Sequence, residues 1–493
     1  MNLNKLLNNI NILEHSNIRD INKIEISNIT FDSRACTKNS MFIAVNGTEA
    51  DGHKFIASAI DKGAEVIIYE EDIPAQKDNQ EYVKDDSIVY IRVENSRLAL
   101  AVIAANFYDN PSTKLNLVGV TGTNGKTTIA TLLYQLFTSL GYECGLISTI
   151  ANYIGKDIYA TEHTTPDPIE LNKLIHNMVE KGCEYCFMEV SSHSLAQDRV
   201  ASLSFKGAIF TNLTHDHLDY HKTFAEYLRC KKLLFDHLEK EAFAITNIDD
   251  KNGEVMLQNT KASKYTYSIR AAADFNVKII EQTLDGNLLK INGTEIWTRF
   301  IGKHNAHNLA AVYAAATLSG VSKEETLTAI SGLKAVSGRL EYIKGGDGIT
   351  AVVDYAHTPD ALENVLTTLK GIKTKGHLIA VFGCGGNRDK TKRPEMGVIA
   401  AKYADKVVVT SDNPRHEDPD LIIKDIKDGM DKDARRKSLF ITNREEAIRT
   451  ALTLADKNDI VLVAGKGHEN YQIIGDTKYH LDDKEIIKEF FKD

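Results

Sequence analysis

Short apolar runs alternate with helical stretches through most of this chain. That is the pattern of an α/β protein whose sheets are mostly parallel. The rhythm is clearest from residue 115 onward: an apolar run at 115–120 predicts a strand, 126–140 predicts a helix, and Gly141 is suited to stop it. Further strands are expected at 144–149, 185–190 and 207–211. Residues 302–308, with a glycine and basic side chains, open a helix predicted over 309–318. Before residue 98 the units are finer. Strand-plus-turn signatures stand at 29–34 and 40–45, Asp51-Gly52 marks a turn, and 54–62 is helical in pattern. Residues 95–108 predict a helix closed by Asp109-Asn110-Pro111.

Four apolar runs in the last third, 349–353, 378–384, 406–411 and 460–464, each end on a polar loop. The loops are Asp354-Tyr355-Ala356-His357-Thr358-Pro359-Asp360, Gly385-Gly386-Asn387-Arg388-Asp389-Lys390, Asp412-Asn413-Pro414-Arg415 and Gly465-Lys466-Gly467-His468-Glu469. Parallel α/β sheets place ligands at the carboxyl ends of their strands. The alternation here carries no GxGxxG, so it makes no claim for a dinucleotide.

A chain of 493 residues is too long for one core, and about two to four domains are expected. The pattern divides it at 1–98, 99–335 and 336–493. The net charge of -9 argues against broad nucleic-acid binding, which needs a basic face, but permits a local anion site. The six cysteines are too sparse for a disulfide framework. Cys183 and Cys186 lack a second pair at zinc spacing and read as buried strand residues. No run reaches the roughly 18–20 apolar residues of a membrane span. The first residues lack the pattern of a signal peptide. A reducing cytoplasm is expected.

The segment Gly122-Thr123-Asn124-Gly125-Lys126-Thr127-Thr128 lies between a predicted strand and a predicted helix. Glycines let backbone N–H groups turn toward phosphates, and a helix N-terminus favours negative charge. Lys126 would reach the β and γ phosphates, and the Thr127 hydroxyl would ligate magnesium. Val120 stands where the strict phosphate-loop pattern has glycine, so the loop is a variant of it. The plain alternative is a glycine turn with a solvated lysine.

Glu189-Val190-Ser191-Ser192-His193 and Asn212-Leu213-Thr214-His215-Asp216-His217-Leu218-Asp219-Tyr220-His221 also end predicted strands. Glu189 and His217 are candidates to complete a magnesium site; a solvated polar turn is the alternative. By spacing alone, Lys231 and Lys232 read as solvated helix residues.

Together these segments resemble the Mur ligase family, which adds amino acids to the peptidoglycan precursor. The matching segments are 122–128, Glu189 to His193, Asp216 to His221, and Gly302 to Asn308, in the family's order over nearly the whole chain. The loops 354–360, 383–390 and 465–469 resemble the family's third ligase. The resemblance implies an N-terminal UDP-binding α/β domain, a central domain like a P-loop ATPase, and a C-terminal Rossmann-like domain. It implies ATP and magnesium as cofactors, with UDP-N-acetylmuramoyl-L-alanyl-D-glutamate and meso-diaminopimelate as partners of a monomer. ATP contacts carry over to residues 122–128 with Asn305, Asn308 and Arg339. UDP-precursor contacts carry over to Phe31, Ser33, Thr48, Glu49, Ala50, Thr164, Thr165, Ser191, Gln197 and Arg199. Lys231 aligns with a lysine that is carbamylated to support magnesium, alongside Thr127, Glu189 and His217. His304 departs from a frequent phenylalanine.

The reaction so implied activates a carboxylate as an acyl phosphate, which an amine then attacks. Meso-diaminopimelate carries a distal carboxylate that lysine lacks, and Arg415 offers it a planar fork, aimed by Pro414. Arg388 is a second carboxylate-binding candidate. Asp412 and Glu469 suit the distal ammonium, and Asn413 and Gly465 complete the site. The competing readings are a ligase that adds L-lysine, a folylpolyglutamate synthase, and a nucleotide-binding protein without catalysis.

Overall fold

The computed structural model describes residues 1–16, 21–47, 50–72, 76–77, 80–81, 87–161, 163–372 and 375–492. The chain divides into two compact units. The first comprises residues 1–120, 141–208 and 236–242, and the second comprises 121–140, 209–235 and 243–493.

The first unit holds a five-stranded sheet in the order Ile12–His15, Val89–Val93, Ala64–Tyr69, Ser40–Ile43, Asn28–Thr30. Its inner strands are parallel, and Ile12–His15 alone runs antiparallel. Helix Ser96–Phe107 packs Leu100, Ile103 and Ala104 into the core beneath it. Asn95 caps this helix through its side chain, as the residue type favours. In the same unit Tyr185–Glu189 runs parallel to Cys144–Ile147 and to residues 116–120. The apolar strand runs expected here fall where the sequence places them, within one or two residues. All six cysteines are buried, and Cys186 lies within strand Tyr185–Glu189.

The second unit contains the glycine loop, helix Lys126–Ser139, and the parallel strands Phe243–Asn247, Ser263–Ser268 and Phe275–Thr283. It also contains a six-stranded sheet in the order Glu341–Lys344, Thr350–Asp354, Ile460–Ala464, Leu378–Phe382, Lys406–Val409, Ser438–Phe440. Five of its strands are parallel, and Glu341–Lys344 is the antiparallel edge. Both faces are covered, by cores built on Leu362, Leu366 and Ile426 on one side and Ile448, Leu452 and Ile487 on the other. Burial on both faces explains the near-continuous apolar strands. It also brings four strand ends, each followed by a polar loop, to one edge.

One helix differs from its expected bounds. The segment from Lys303 to Leu318 is helical throughout, with Gly302 as its N-cap at φ 86°. Asn305 and Asn308 therefore lie inside the helix, three residues apart on one face, where Asn308 Nδ2 donates to Asn305 Oδ1 at 3.2 Å. Asparagine favours caps and turns by propensity, and here the tertiary setting overrides that preference.

Candidate active site

The glycine loop departs from its strand at Thr121 and ends at Gly125, which N-caps helix Lys126–Ser139 with φ 91°. A Cβ on Gly122 would sit 1.8 Å from Thr211 Oγ1, and one on Gly125 would sit 2.7 Å from Asn308 Oδ1. Both glycines are required by close approach as well as by conformation. The loop is fixed from outside: Asn212 accepts from Thr123 N through its carbonyl at 2.8 Å and from Asn124 N through Oδ1 at 2.9 Å. No side chain caps the helix, whose first turn presents its N–H end to the loop. Lys126 Nζ donates back to the Gly122 and Thr123 carbonyls at 3.0 and 2.9 Å.

Lys231 corrects the reading from spacing. Its residue is 1% exposed, and Nζ donates to Gly122 O at 2.8 Å while lying 4.5 Å over the Tyr227 ring. Burial, reinforced by the nearby Lys126 charge, pushes its pKa well below the ordinary lysine value. A helix face gives no sign of this, because the burial comes from the glycine loop packed across it. Tyr227 in turn shares a 3.1 Å hydrogen bond with Thr123 Oγ1. Although burial works against its charge, Asp216 is held down at about 2 by His217, His357, Lys392 and Lys126. His217 sits at φ 54°, with Nε2 3.4 Å from Asp216 Oδ2.

A cleft in this unit is lined by Asn124, Gly125, Thr128, His304, Asn305, Asn308, Arg339, Tyr355 and Asp360. Arg339 donates to Thr127 Oγ1 at 3.2 Å and lies 4.5 Å over the Tyr355 ring. Asn124 Nδ2 donates to Asp360 Oδ2 at 2.9 Å. Burial lowers the pKa of His304 to about 4, with His307 adding to the effect, so its ring is neutral. The buried carboxyl of Asp354 is raised by desolvation against the pull of Arg339. It accepts from the Leu340 and Ala356 amides, each at 2.8 Å, which ties the start of this region to the first polar loop.

The remaining three loops meet around Arg415. This residue is half-buried at φ 53°. Its Nη1 donates to Gly386 O at 2.8 Å and to Asn413 O at 3.5 Å. Burial, with Arg388 nearby, pushes its pKa below the ordinary guanidinium value. Asp412 and Asn413 are buried beside it. Asp412 Oδ2 stands 2.5 Å from where a Cβ on Gly465 would be. Glu469 is already engaged, accepting from Asn413 Nδ2 at 2.9 Å and from the fully buried Lys466 Nζ at 3.1 Å. Arg388 is exposed, its closest hydrogen bond a 3.5 Å contact to Asn387 O. Pro414 is buried, and its carbonyl lies against Gly386.

In the first unit a second cluster forms. Glu189 is fully buried, and Oε1 accepts from Thr149 N at 2.7 Å. Thr149 Oγ1 bonds Thr164 Oγ1 at 3.0 Å, and Thr165 Oγ1 donates to Glu189 O at 2.9 Å. Ser191 N donates to Thr165 Oγ1 at 3.2 Å, and Arg199 Nη1 to Thr165 O at 2.9 Å. Gln197 Oε1 accepts from the Arg199 guanidinium at 2.6 and 2.9 Å. Five expected precursor contacts thus gather around the Glu189 strand end. Ser33 is buried, Phe31 is exposed at the surface, and Ala50 is exposed. Thr48 and Glu49 lie outside the described residues.

Three family models match the chain in series. The Mur ligase family catalytic domain matches residues 25–108, the Mur ligase middle domain 120–316, and the Mur ligase glutamate ligase domain 338–467. The chain belongs to the Mur ligase family. A curated relative from Bacteroides fragilis, named UDP-N-acetylmuramoyl-L-alanyl-D-glutamate--2,6-diaminopimelate ligase, is 52% identical over 492 residues, covering 100% of this chain and 99% of its own. A solved structure under the same name superposes with a TM-score of 0.69 at 31% identity, covering 100% of this chain and 99% of the other. A folylpolyglutamate synthase structure from Mycobacterium tuberculosis shares the fold, with a TM-score of 0.60 at 17% identity, but covers 76% of this Mur ligase chain and 92% of its own. Among the described residues no helix is long and apolar enough to cross a membrane.

The sequence pattern does not single out Asn212, Asp360 or Lys466 in this Mur ligase site. Each acts by holding another loop across a long sequence separation, a relation with no local spacing to reveal it.

Proposed function

We propose that this chain is the ATP-dependent ligase that joins meso-diaminopimelate to UDP-N-acetylmuramoyl-L-alanyl-D-glutamate in cytoplasmic peptidoglycan synthesis, working as a monomer. The observation that carries the substrate choice is Arg415: among the described residues its guanidinium donates to backbone carbonyls, at 2.8 and 3.5 Å, and no carboxylate is hydrogen-bonded to it, while Asp412 and Glu469 act on its charge only from farther away. A half-buried guanidinium among three polar loops suits a carboxylate brought by the ligand. Lysine would leave that guanidinium without a directly bonded anion, at a cost of roughly 2–5 kcal/mol. Full-length similarity to relatives named for diaminopimelate supports the same choice.

In this reading residues 1–98 bind the UDP end, 99–335 the ATP and 336–493 the amino acid. The glycine loop and the first turn of helix Lys126–Ser139 would cradle the phosphates, with Lys126 turning from the Gly122 and Thr123 carbonyls toward them. The face carrying Asn305 and Asn308, with Arg339, lines the same cleft and would hold the nucleoside. Thr127 and His217 would hold magnesium, together with Lys231 once carbamylated. The Thr127 hydroxyl, beside the phosphate loop, is a donor that suits a hard cation. Magnesium would supply charge neutralisation as two anionic reactants approach. Thr164, Thr165, Ser191, Gln197 and Arg199 would orient the sugar-peptide, whose terminal carboxylate takes the γ-phosphoryl group. The amine of diaminopimelate then attacks the acyl carbon and phosphate leaves. Asp412 suits the distal ammonium, and Glu469, held by Lys466 and Asn413, would shape the pocket wall.

Phosphate release from ATP tests the proposal, with the precursor and diaminopimelate each present or omitted. Release that requires both supports it. Turnover independent of either would favour a nucleotide-binding protein of another kind.

A further inference from the structure

We propose that Arg444 is a positioning residue for the amino-acid site, setting the separation of the loops that begin at Asp412 and Gly465; this rests on the reading of those loops given above. Arg444 opens helix Arg444–Thr453, and its side chain is 0% exposed. Its fork grips Asp483, with Nε to Oδ1 at 2.8 Å and Nη2 to Oδ2 at 2.7 Å. The remaining reach of the fork goes to two carbonyls, Ser411 O from Nη1 at 3.4 Å and Ala464 O from Nη2 at 3.1 Å. Those are the residues directly before Asp412 and Gly465.

The strands leading to the two loops, Lys406–Val409 and Ile460–Ala464, are not neighbours, because Leu378–Phe382 lies between them. No ladder of sheet hydrogen bonds fixes their separation, which spans about 10 Å at ordinary strand spacing. Other ties run through Asn413, Lys466 and Glu469, which belong to the site itself, and through Gln472 and Ile473 just beyond the second loop. Arg444 lies behind the site and holds both loop origins to one rigid group. Gly465 closes the arrangement: a Cβ there would meet Asp412 Oδ2 at 2.5 Å and lie 4.0 Å from Arg444 Nη2. A second buried arginine repeats the device one loop away. Arg393 donates to Gly385 O at 3.3 Å while bound to Glu417 at 2.9 Å and Asp425 at 2.8 Å.

A lysine at 444 would keep the charge beside Asp483 but could not grip a carboxylate and two carbonyls at once. Asp483→Asn keeps the guanidinium and weakens its anchor. The test measures kcat and KM for diaminopimelate and for ATP in wild type, Arg444→Lys and Asp483→Asn, with melting temperatures. The expected result for Arg444→Lys is a KM for diaminopimelate raised about 10-fold or more, with the KM for ATP within about twofold. Asp483→Asn is expected to shift in the same direction by less. If one variant does not fold, the other decides. Wild-type KM for diaminopimelate in the folded variants, equal increases in both KM values, or failure of both variants to fold would each overturn the proposal, leaving Arg444 as a stability element. A wild-type enzyme indifferent to diaminopimelate would instead defeat the substrate reading, a separate outcome.

Discussion

Lys231 Nζ donates to the carbonyl oxygen of Gly122 at 2.8 Å, so a buried amine on helix Phe224–Asp236 touches the first glycine of the phosphate loop. Burial and the Lys126 charge hold this amine toward its neutral form. A neutral amine is nucleophilic, which is the state that carbamylation by carbon dioxide requires.

Lys231→Ala is expected to lose most ligase activity, by about 100-fold or more if the modified side chain supports the metal. Bicarbonate or short carboxylates added to the mutant should restore part of the rate. Steady-state phosphate release with and without added acetate measures this. Full activity in the unsupplemented mutant would remove Lys231 from the mechanism.

Gly125→Ala is expected to raise the KM for ATP and lower kcat. The residue sits at φ 91°, and its added Cβ would approach Asn308 Oδ1 to 2.7 Å. The conformation alone costs about 1–2 kcal/mol. Direct titration with a fluorescent ATP analogue should show the loss. Unchanged nucleotide affinity would mean that the loop tolerates a shift the packing argues against.

Glu417 gives a pH dependence of stability. Its hydrogen bonds to Arg393 hold the carboxyl down at about 2 against burial, helped by the Asn387 amide and Lys390. A carboxyl depressed in the folded state contributes stability that is complete above its unfolded value and is lost as pH falls through the folded one. Glu417→Gln should therefore destabilise the protein at neutral pH by about 1–3 kcal/mol. The gap between mutant and wild type should close as the pH drops from 4.5 toward 2. Urea midpoints across that range decide it, and a gap independent of pH would point to packing instead.

Much of this was legible locally. The glycine loop and the four strand-end loops each carry their chemistry within a few consecutive residues, and parallel-sheet physics brings such ends together. Arg415 could be read as part of a site because it ends a strand run; its left-handed backbone and its bond to Gly386 could not. The burial of Lys231 and Arg444 could not be read from spacing for one reason: it is created by segments far away in the chain, Gly122 for one and Asp483 for the other. The helix predicted from 309 begins instead at Lys303, because packing carries Asn305 and Asn308 inside it. Arg388, plausible by type, is exposed, since its loop is held through Asn387 and Gly386 rather than through its own side chain.

The central claim is that Arg415 selects an amino acid with a distal carboxylate. The direct measurement is the product mass after incubation of enzyme, UDP-dipeptide precursor, ATP and magnesium with equal diaminopimelate and lysine. The wild type is expected to form the diaminopimelate product almost alone. Arg415→Ala is expected to lose more than about tenfold of that preference while ATP affinity survives. A wild-type lysine product, or a mutant that keeps the full preference, would contradict the account.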